Sequence, residues 1–183
     1  LVSLGMMVIM STVNQFGSVV VAGSGVGSRL EQFGHLPAFS VGLAATALVG
    51  QNLGAGLENR VSEVVKWGVL LASSITGALT LVVQAFPAAV LSLFTKDPQV
   101  LAAGTIYLRW ISLGFVPFAA MFAFTGVLRG AGDTLPTLFI TIGSLWLVRV
   151  PLVRVLARTS LGVEGVWMAM ASGPFVGLLL SYA

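Results

Sequence analysis

Glu31 and His35 stand four residues apart, so a helix would carry their carboxyl and imidazole groups on one face, where the two could share a proton or a hydrogen bond. Glu31 is also the one acid set apart from a predicted helix end, since Glu58, Glu63, Asp97, Asp133 and Glu164 all fall at such ends. A helix that starts only near Pro37 would leave Arg29, Glu31 and His35 in a solvated turn; that placement, or one at a membrane interface, is the expected one. A second polar pair, Asn14-Gln15, is set among Met, Ile and Val, where two amides are costly unless they face other helices or a wet cavity. They either line such a cavity or make an interhelical hydrogen bond that serves packing. One His and no Cys give no metal-ligand spacing, and no paired Asp or Ser/His combination in facing spans supports an intramembrane enzyme.

The elements that must position these groups are apolar and long. Hydrophobic residues make up 57% of the 183-residue chain and charged residues 8%, and the mean hydropathy is +1.01. A water-facing surface cannot be covered with so little charge, which implies a polytopic membrane protein. Residues 1–28, 36–57, 67–95, 110–128 and 165–183 carry no Asp, Glu, Lys or Arg, and residues 134–156 are broken only by Arg149 and Arg154. Each stretch is long enough for a helix to cross roughly 30 Å of hydrocarbon. Six spans are expected, near 1–17, 19–52, 64–88, 101–128, 134–156 and 163–183, helical because a backbone in lipid must satisfy its own hydrogen bonds. The runs are continuous, without the alternation of a β-barrel. The fold class is therefore all-α, a six-transmembrane-helix bundle. With Leu1 and Ala183 at its ends, the latter inside an apolar run, the sequence reads as a piece of a longer protein.

Between the spans lie two small-residue joints. In Gly50-Gln51-Asn52-Leu53-Gly54-Ala55-Gly56, Gly54 and Gly56 can take left-handed backbone angles while Gln51 and Asn52 bond exposed carbonyls. In Arg129-Gly130-Ala131-Gly132-Asp133, the flanking charges can pair across the turn, and Asp133 or Thr134 can cap the helix that follows. Asp97-Pro98 is a third signal, a cap followed by proline at the first helical position. Gly114 and Pro117 predict a kink in the fourth span. Arg149 can snorkel to the interface or find a carboxylate, snorkelling being the commoner case, and Trp167 is expected to sit in an interfacial belt. Glycine pairs four apart at Gly23/Gly27, Gly50/Gly54, Gly126/Gly130 and Gly173/Gly177 permit close helix approach. The formal charge of +3 is scattered over the spans without a stripe that would suit nucleic acid. Basic residues divide between the two sides, with a slight excess placing the Gly50 and Arg129 joints in the cytoplasm.

Three segments in order, Leu48-Val-Gly-Gln-Asn-Leu-Gly-Ala-Gly56, Gly126-Val-Leu-Arg-Gly-Ala-Gly-Asp-Thr134, and Leu147-Val-Arg-Val-Pro-Leu152 with Gly162-Val-Glu-Gly-Val-Trp167, resemble the C-terminal half of multidrug and toxic compound extrusion (MATE) transporters. The resemblance covers nearly the whole chain, from Asn14-Gln15-Phe16-Gly17 onward, as helices seven to twelve of that family. It implies that residues 1–183 form one lobe of a twelve-helix antiporter whose N-terminal lobe is absent. Such a protein sits in the plasma or inner membrane, monomeric when complete. It exports organic, often cationic, compounds against H⁺ or Na⁺, with no cofactor beyond that ion and the lipid bilayer as its surroundings. By the same resemblance the Gly50 and Arg129 joints are cytoplasmic.

Some branches of the family carry acids in helices seven and ten. Here residues 1–28 and Ile111–Leu128 hold none, and Phe118 falls near the second of those places. The sequence is thus more similar to the branch whose coupling carboxylates belong to the N-terminal lobe. Within this lobe, Glu31 with His35 is expected to tune ion or substrate binding. Asn14 and Gln15, with Phe118, Met121 and Phe122, are expected to meet a flat lipophilic cation. The alternative activity on the same architecture is a lipid-linked oligosaccharide flippase, which would want several deep basic residues around a pyrophosphate; Arg29, Arg109 and Arg149 are the available ones.

Overall fold

The computed structural model describes residues 2–182, and every regular element among them is helical. The elements are α1 (Val2–Asn14), α2 (Ser18–Gly54), α3 (Glu58–Ala85), α4 (Pro87–Leu91), α5 (Pro98–Ile111), α6 (Phe115–Gly130), α7 (Leu135–Ile142), α8 (Val150–Leu156) and α9 (Gly162–Tyr182). A 3₁₀ turn, Ser112–Gly114, joins α5 to α6, and a π-helical stretch, Gly143–Arg149, joins α7 to α8. Five of these runs are long and apolar enough to cross a membrane: Ser18–Gly54, Glu58–Ala85, Pro98–Gly130, Leu135–Leu156 and Gly162–Ser181. The first expected span is shorter than predicted, since α1 holds 13 residues and ends at Asn14 before a turn through Gly17, φ 96°. Large apolar side chains stand exposed on all the long helices, among them Leu43, Leu81, Phe139, Leu147 and Leu179, as a lipid-facing surface requires.

The second span corrects the expected start near Pro37. α2 runs unbroken through that proline, so Glu31 and His35 sit on a helix and not in a turn. Proline deprives the Phe33 carbonyl of its helical donor, a loss that membrane helices tolerate when neighbouring helices pack around it.

The two small-residue joints share one geometry. The Leu57 amide donates to Asn52 O and the Gly56 amide to Leu53 O, while Asp133 donates to Leu128 O and Gly132 to Arg129 O. Both are Schellman endings, with Gly56 (φ 72°) and Gly132 (φ 84°) in the left-handed position. Gly54, expected to share that role, is instead the last helical residue. Asn52 Nδ2 donates to Leu48 O at 2.8 Å. The predicted Arg129–Asp133 pair does not form. Arg129 Nε turns back to Thr125 O at 3.1 Å, and its guanidinium lies over the Phe122 ring at 5.0 Å. Neither Asp133 nor Thr134 caps α7 through its side chain, whereas Asp97 Oδ1 does cap α5, accepting from Gln99 N at 2.9 Å.

The expected bend in the fourth span is the 3₁₀ turn, and its carbonyls are met from α3. Gln84 Nε2 donates to Arg109 O at 2.7 Å, and Thr80 Oγ1 to Ser112 O at 3.2 Å. The tightest helix approaches run along one glycine-bearing face of α2, against α5 and α6. A Cβ at Gly27 would lie 2.3 Å from the Tyr107 ring, one at Gly34 2.6 Å from Phe115, and one at Gly42 2.6 Å from Phe122. From the other side, a Cβ at Gly126 would lie 2.4 Å from Gly42 O, and one at Gly130 2.6 Å from Thr46 O. Thr46 Oγ1 completes the seam, donating to both Gly42 O and Gly126 O at 2.9 Å.

Gly126→Ala is therefore expected to destabilise the intact protein by about 1–3 kcal/mol, because the atom in its way is backbone and cannot rotate aside. Gly25→Ala, in α2 but facing open space, should be neutral or gain up to about 1 kcal/mol of helix propensity. Thermal unfolding in detergent checks the pair: equal midpoints for the two variants would mean that the close approach of α2 and α6 contributes nothing.

Candidate functional site

Glu31 lies on the glycine face of α2, one turn beyond Gly27. The missing Cβ at Gly27 lets the Tyr107 ring of α5 reach across, and Tyr107 Oη donates to Glu31 Oε2 in a short hydrogen bond. Tyr107 is fixed from behind by Trp167, ring centroids 4.8 Å apart and edge to face. Trp167 was expected in an interfacial belt. It is 2% exposed and belongs to the core, because α9 packs against α5.

His35 stands beside Glu31, with Nε2 3.9 Å from Oε1, and each side chain keeps only about a fifth of its surface (21% and 22%). The imidazole stacks on Phe118 of α6 at 4.1 Å and meets the edges of Phe115 and Phe39. Phe122 continues this aromatic wall, 4.8 Å from Phe39 and 5.4 Å from Phe118. The structure thus brings Glu31, His35, Phe118 and Phe122 together at the α2–α6 face.

Arg149 completes the electrostatics. It does not snorkel: the π-helical stretch and the glycine at position 173 let it turn inward, where a Cβ on Gly173 would lie 2.6 Å from its Nε and Nη2. Its charge is within electrostatic reach of Glu31, His35 and Tyr107, yet among the described residues Arg149 itself forms no ion pair. Its Nε is buried without a hydrogen-bond partner, as is Trp146 Nε1 in the same stretch. Arg149 opens on a cavity of about 200 Å³, lined also by Met6, Phe118, Met121, Ser144 and Pro174.

Asn14 and Gln15 are elsewhere. Both are exposed at the end of α1, and Gln15 lines a different groove, of about 500 Å³, with Ser11, Thr12, Arg154 and Arg158. Gly50, Gln51, Asn52, Gly54 and Gly56 close α2, and Arg129, Gly130, Gly132 and Asp133 close α6. No group of three or more His, Cys, Asp or Glu side chains able to hold a metal is found among the described residues. Tyr107 and Arg149 were not singled out as partners of Glu31 by sequence. The available signal was that both are polar groups inside otherwise apolar spans.

Compared with known families, residues 1–155 match the family model described as MatE. The chain belongs to the MATE family. It is 34% identical over 167 residues to the probable multidrug resistance protein YpnP of Bacillus subtilis, covering 91% of this chain and 37% of that protein. It is 32% identical over 155 residues to the probable multidrug resistance protein NorM of Thermotoga maritima, covering 84% and 33%. Among solved structures, the Vibrio cholerae MATE transporter VcmN superposes with a TM-score of 0.92 at 19% identity, over 100% of this chain and 41% of that one; at such identity the likeness is one of fold. The chain therefore spans well under half the length of these relatives. The MATE relatives are transporters, and this is a multi-pass membrane protein of that family.

Tyr107→Phe keeps the ring against Trp167 but leaves the Glu31 carboxyl without its hydroxyl partner. It should lower stability by about 1–3 kcal/mol, the cost of a buried polar group left unmatched. The thermal midpoint of the full-length MATE protein in detergent reads this out, and an unchanged midpoint would mean that the hydrogen bond is dispensable.

Proposed function

We propose that this chain is the C-terminal six-helix lobe of a plasma-membrane antiporter that exports organic compounds in exchange for H⁺ or Na⁺. Membership of the MATE family and relatives named as multidrug resistance proteins support multidrug efflux. In this reading the second lobe completes the passageway, and the carboxylates that couple most directly to the ion belong to it. The observation that carries a role for the present lobe is Glu31, an acid held at depth by Tyr107 and flanked by His35. An antiporter must make ion and substrate compete, so that binding one lowers affinity for the other. A carboxyl in a low-dielectric setting does this, because a bound H⁺ or Na⁺ cancels the charge that would otherwise attract a cationic substrate. Glu31 with His35 then tunes binding of the ion or the substrate, while Phe118 and Phe122 present ring faces beside it.

Flipping of a pyrophosphate-linked lipid would gather several arginines around one cavity. Arg149 and Arg109 line separate ones, the latter with Gln84, Trp110 and Glu164, and Arg29 lines neither; the two that share a groove, Arg154 and Arg158, are exposed at the end of α8. Export of small organic compounds is accordingly the reading favoured here.

Glu31→Gln, made in the full-length transporter in proteoliposomes, is expected to shift the half-maximal H⁺ or Na⁺ concentration for efflux by about tenfold, equivalent to about 1.4 kcal/mol. Unchanged pH and Na⁺ dependence would remove Glu31 from the coupling.

A further inference from the structure

We propose that the cavity in front of Arg149 is a binding subsite for the anionic end of an aromatic substrate, a carboxylate above all. The lobe so far offers ring faces and a carboxyl, features that suit a cation. The cavity between α1, α6, the π-helical stretch and α9 has the opposite character. Its lining is Val2, Met6, Phe118, Met121, Leu145 and Pro174, with two hydroxyls and one full charge, and that charge is positive. The hydroxyl protons are committed to the helix: Thr141 Oγ1 donates to Thr137 O at 2.8 Å and Ser144 Oγ to Thr141 O at 3.3 Å. Recognition of an anion in this space therefore falls on the guanidinium.

Arg149 is also short of partners. Five N–H donors are available to a guanidinium. Among the described residues none of them makes a hydrogen bond to protein, Nε is fully buried, and no carboxylate forms an ion pair with it. Glu31, the nearest compensating charge, already accepts the Tyr107 hydroxyl. A cation in an apolar interior without a hydrogen-bonded counter-charge is costly, and a bound anion that accepts two of its N–H groups removes the deficit.

Local structure holds the arginine in this exposed-to-ligand state. The π-helical stretch shifts the register of Arg149 relative to an α-helix, and such insertions are frequent at functional sites. Gly173 leaves room for its Nε and Nη2, and Gly177 leaves room for the Met121 sulfur, which a Cβ there would approach to 2.3 Å. Two glycines four apart on α9 thus shape one wall for the charge and for the thioether beside it. Phe118 and Met121 supply the flat, polarizable surface for the aromatic body.

The inference rests on reading this lobe as one wall of the transport passageway, but it is tested by binding without any gradient, so a failure of Glu31 in coupling would leave it standing. The probes are 2-naphthoate and its neutral amide, 2-naphthamide, titrated against the full-length transporter in nanodiscs. The unaltered protein is expected to bind the acid at least tenfold more tightly than the amide, and Arg149→Met to abolish that preference, with Arg149→Lys restoring part of it. If Arg149→Met fails to fold, Ser144→Asp answers the same question, since a carboxylate on the cavity wall should occupy the guanidinium and erase the preference. An unaltered protein that binds acid and amide equally, a preference that survives both substitutions, or acetate binding as tightly as 2-naphthoate would each overturn the proposal.

Discussion

The close approach of α2 to α5 and α6 is the constraint on which the remaining structure depends. In lipid there is no hydrophobic drive to bring two apolar helices together, so contact must be stabilised by dispersion between well-fitted surfaces and by hydrogen bonds across them. The seam supplies both. Gly27, Gly34 and Gly42 leave depressions into which Tyr107, Phe115 and Phe122 fit, and Gly126 and Gly130 let the α6 backbone rest on carbonyls of α2. Thr46 converts that approach into a shared hydrogen bond. The same face carries Glu31, so the packing that closes the lobe also delivers a tyrosine hydroxyl to its carboxyl.

Charge placement follows from that geometry. Glu31 and Arg149 come from helices far apart in sequence and reach toward a common region, yet each is held by something other than its opposite number: Glu31 by Tyr107, Arg149 by the space over Gly173. Two opposite charges that attract without touching are easier to address separately than a closed salt bridge, whose rupture would leave both groups uncompensated. In the roles proposed above, an ion or proton at Glu31 would alter the field at Arg149, and an anion at Arg149 would alter the field at Glu31.

Much of the architecture was legible in the sequence because bilayer thickness dictates span length and the glycine joints punctuate the chain. Asp97-Pro98 was a sound capping signal, since a cap is a local affair of two or three residues. Of the glycine pairs, Gly23/Gly27 and Gly126/Gly130 line the seam, and Gly173/Gly177 receives Arg149 and Met121, while Gly50/Gly54 makes no comparable contact. What stayed hidden was which way long side chains turn. Arg149 and Trp167 were both assigned to the interface on general tendencies, and both turn inward because of neighbours distant in sequence. Pro37 misled in the same manner: it reads as a helix start locally, but packing along the whole of α2 outweighs one missing hydrogen bond.

The Gly-Ala-Gly endings close α2 and α6 in the same way. Gly130 packs on Thr46, two turns before the C-terminus of α2, so α2 runs on past the end of α6, and the carbonyls at each end carry partial negative charge. The Schellman bonds absorb some of those carbonyls, and Arg129 stands in the last turn of α6. Cations favour such an end, and an excess of them favours the cytoplasmic face. Arg129 is thus placed where the helix dipole favours a cation. Glu31 and Arg149 lie farther back along their helices, among apolar neighbours, where a single charge has its greatest influence on what can bind.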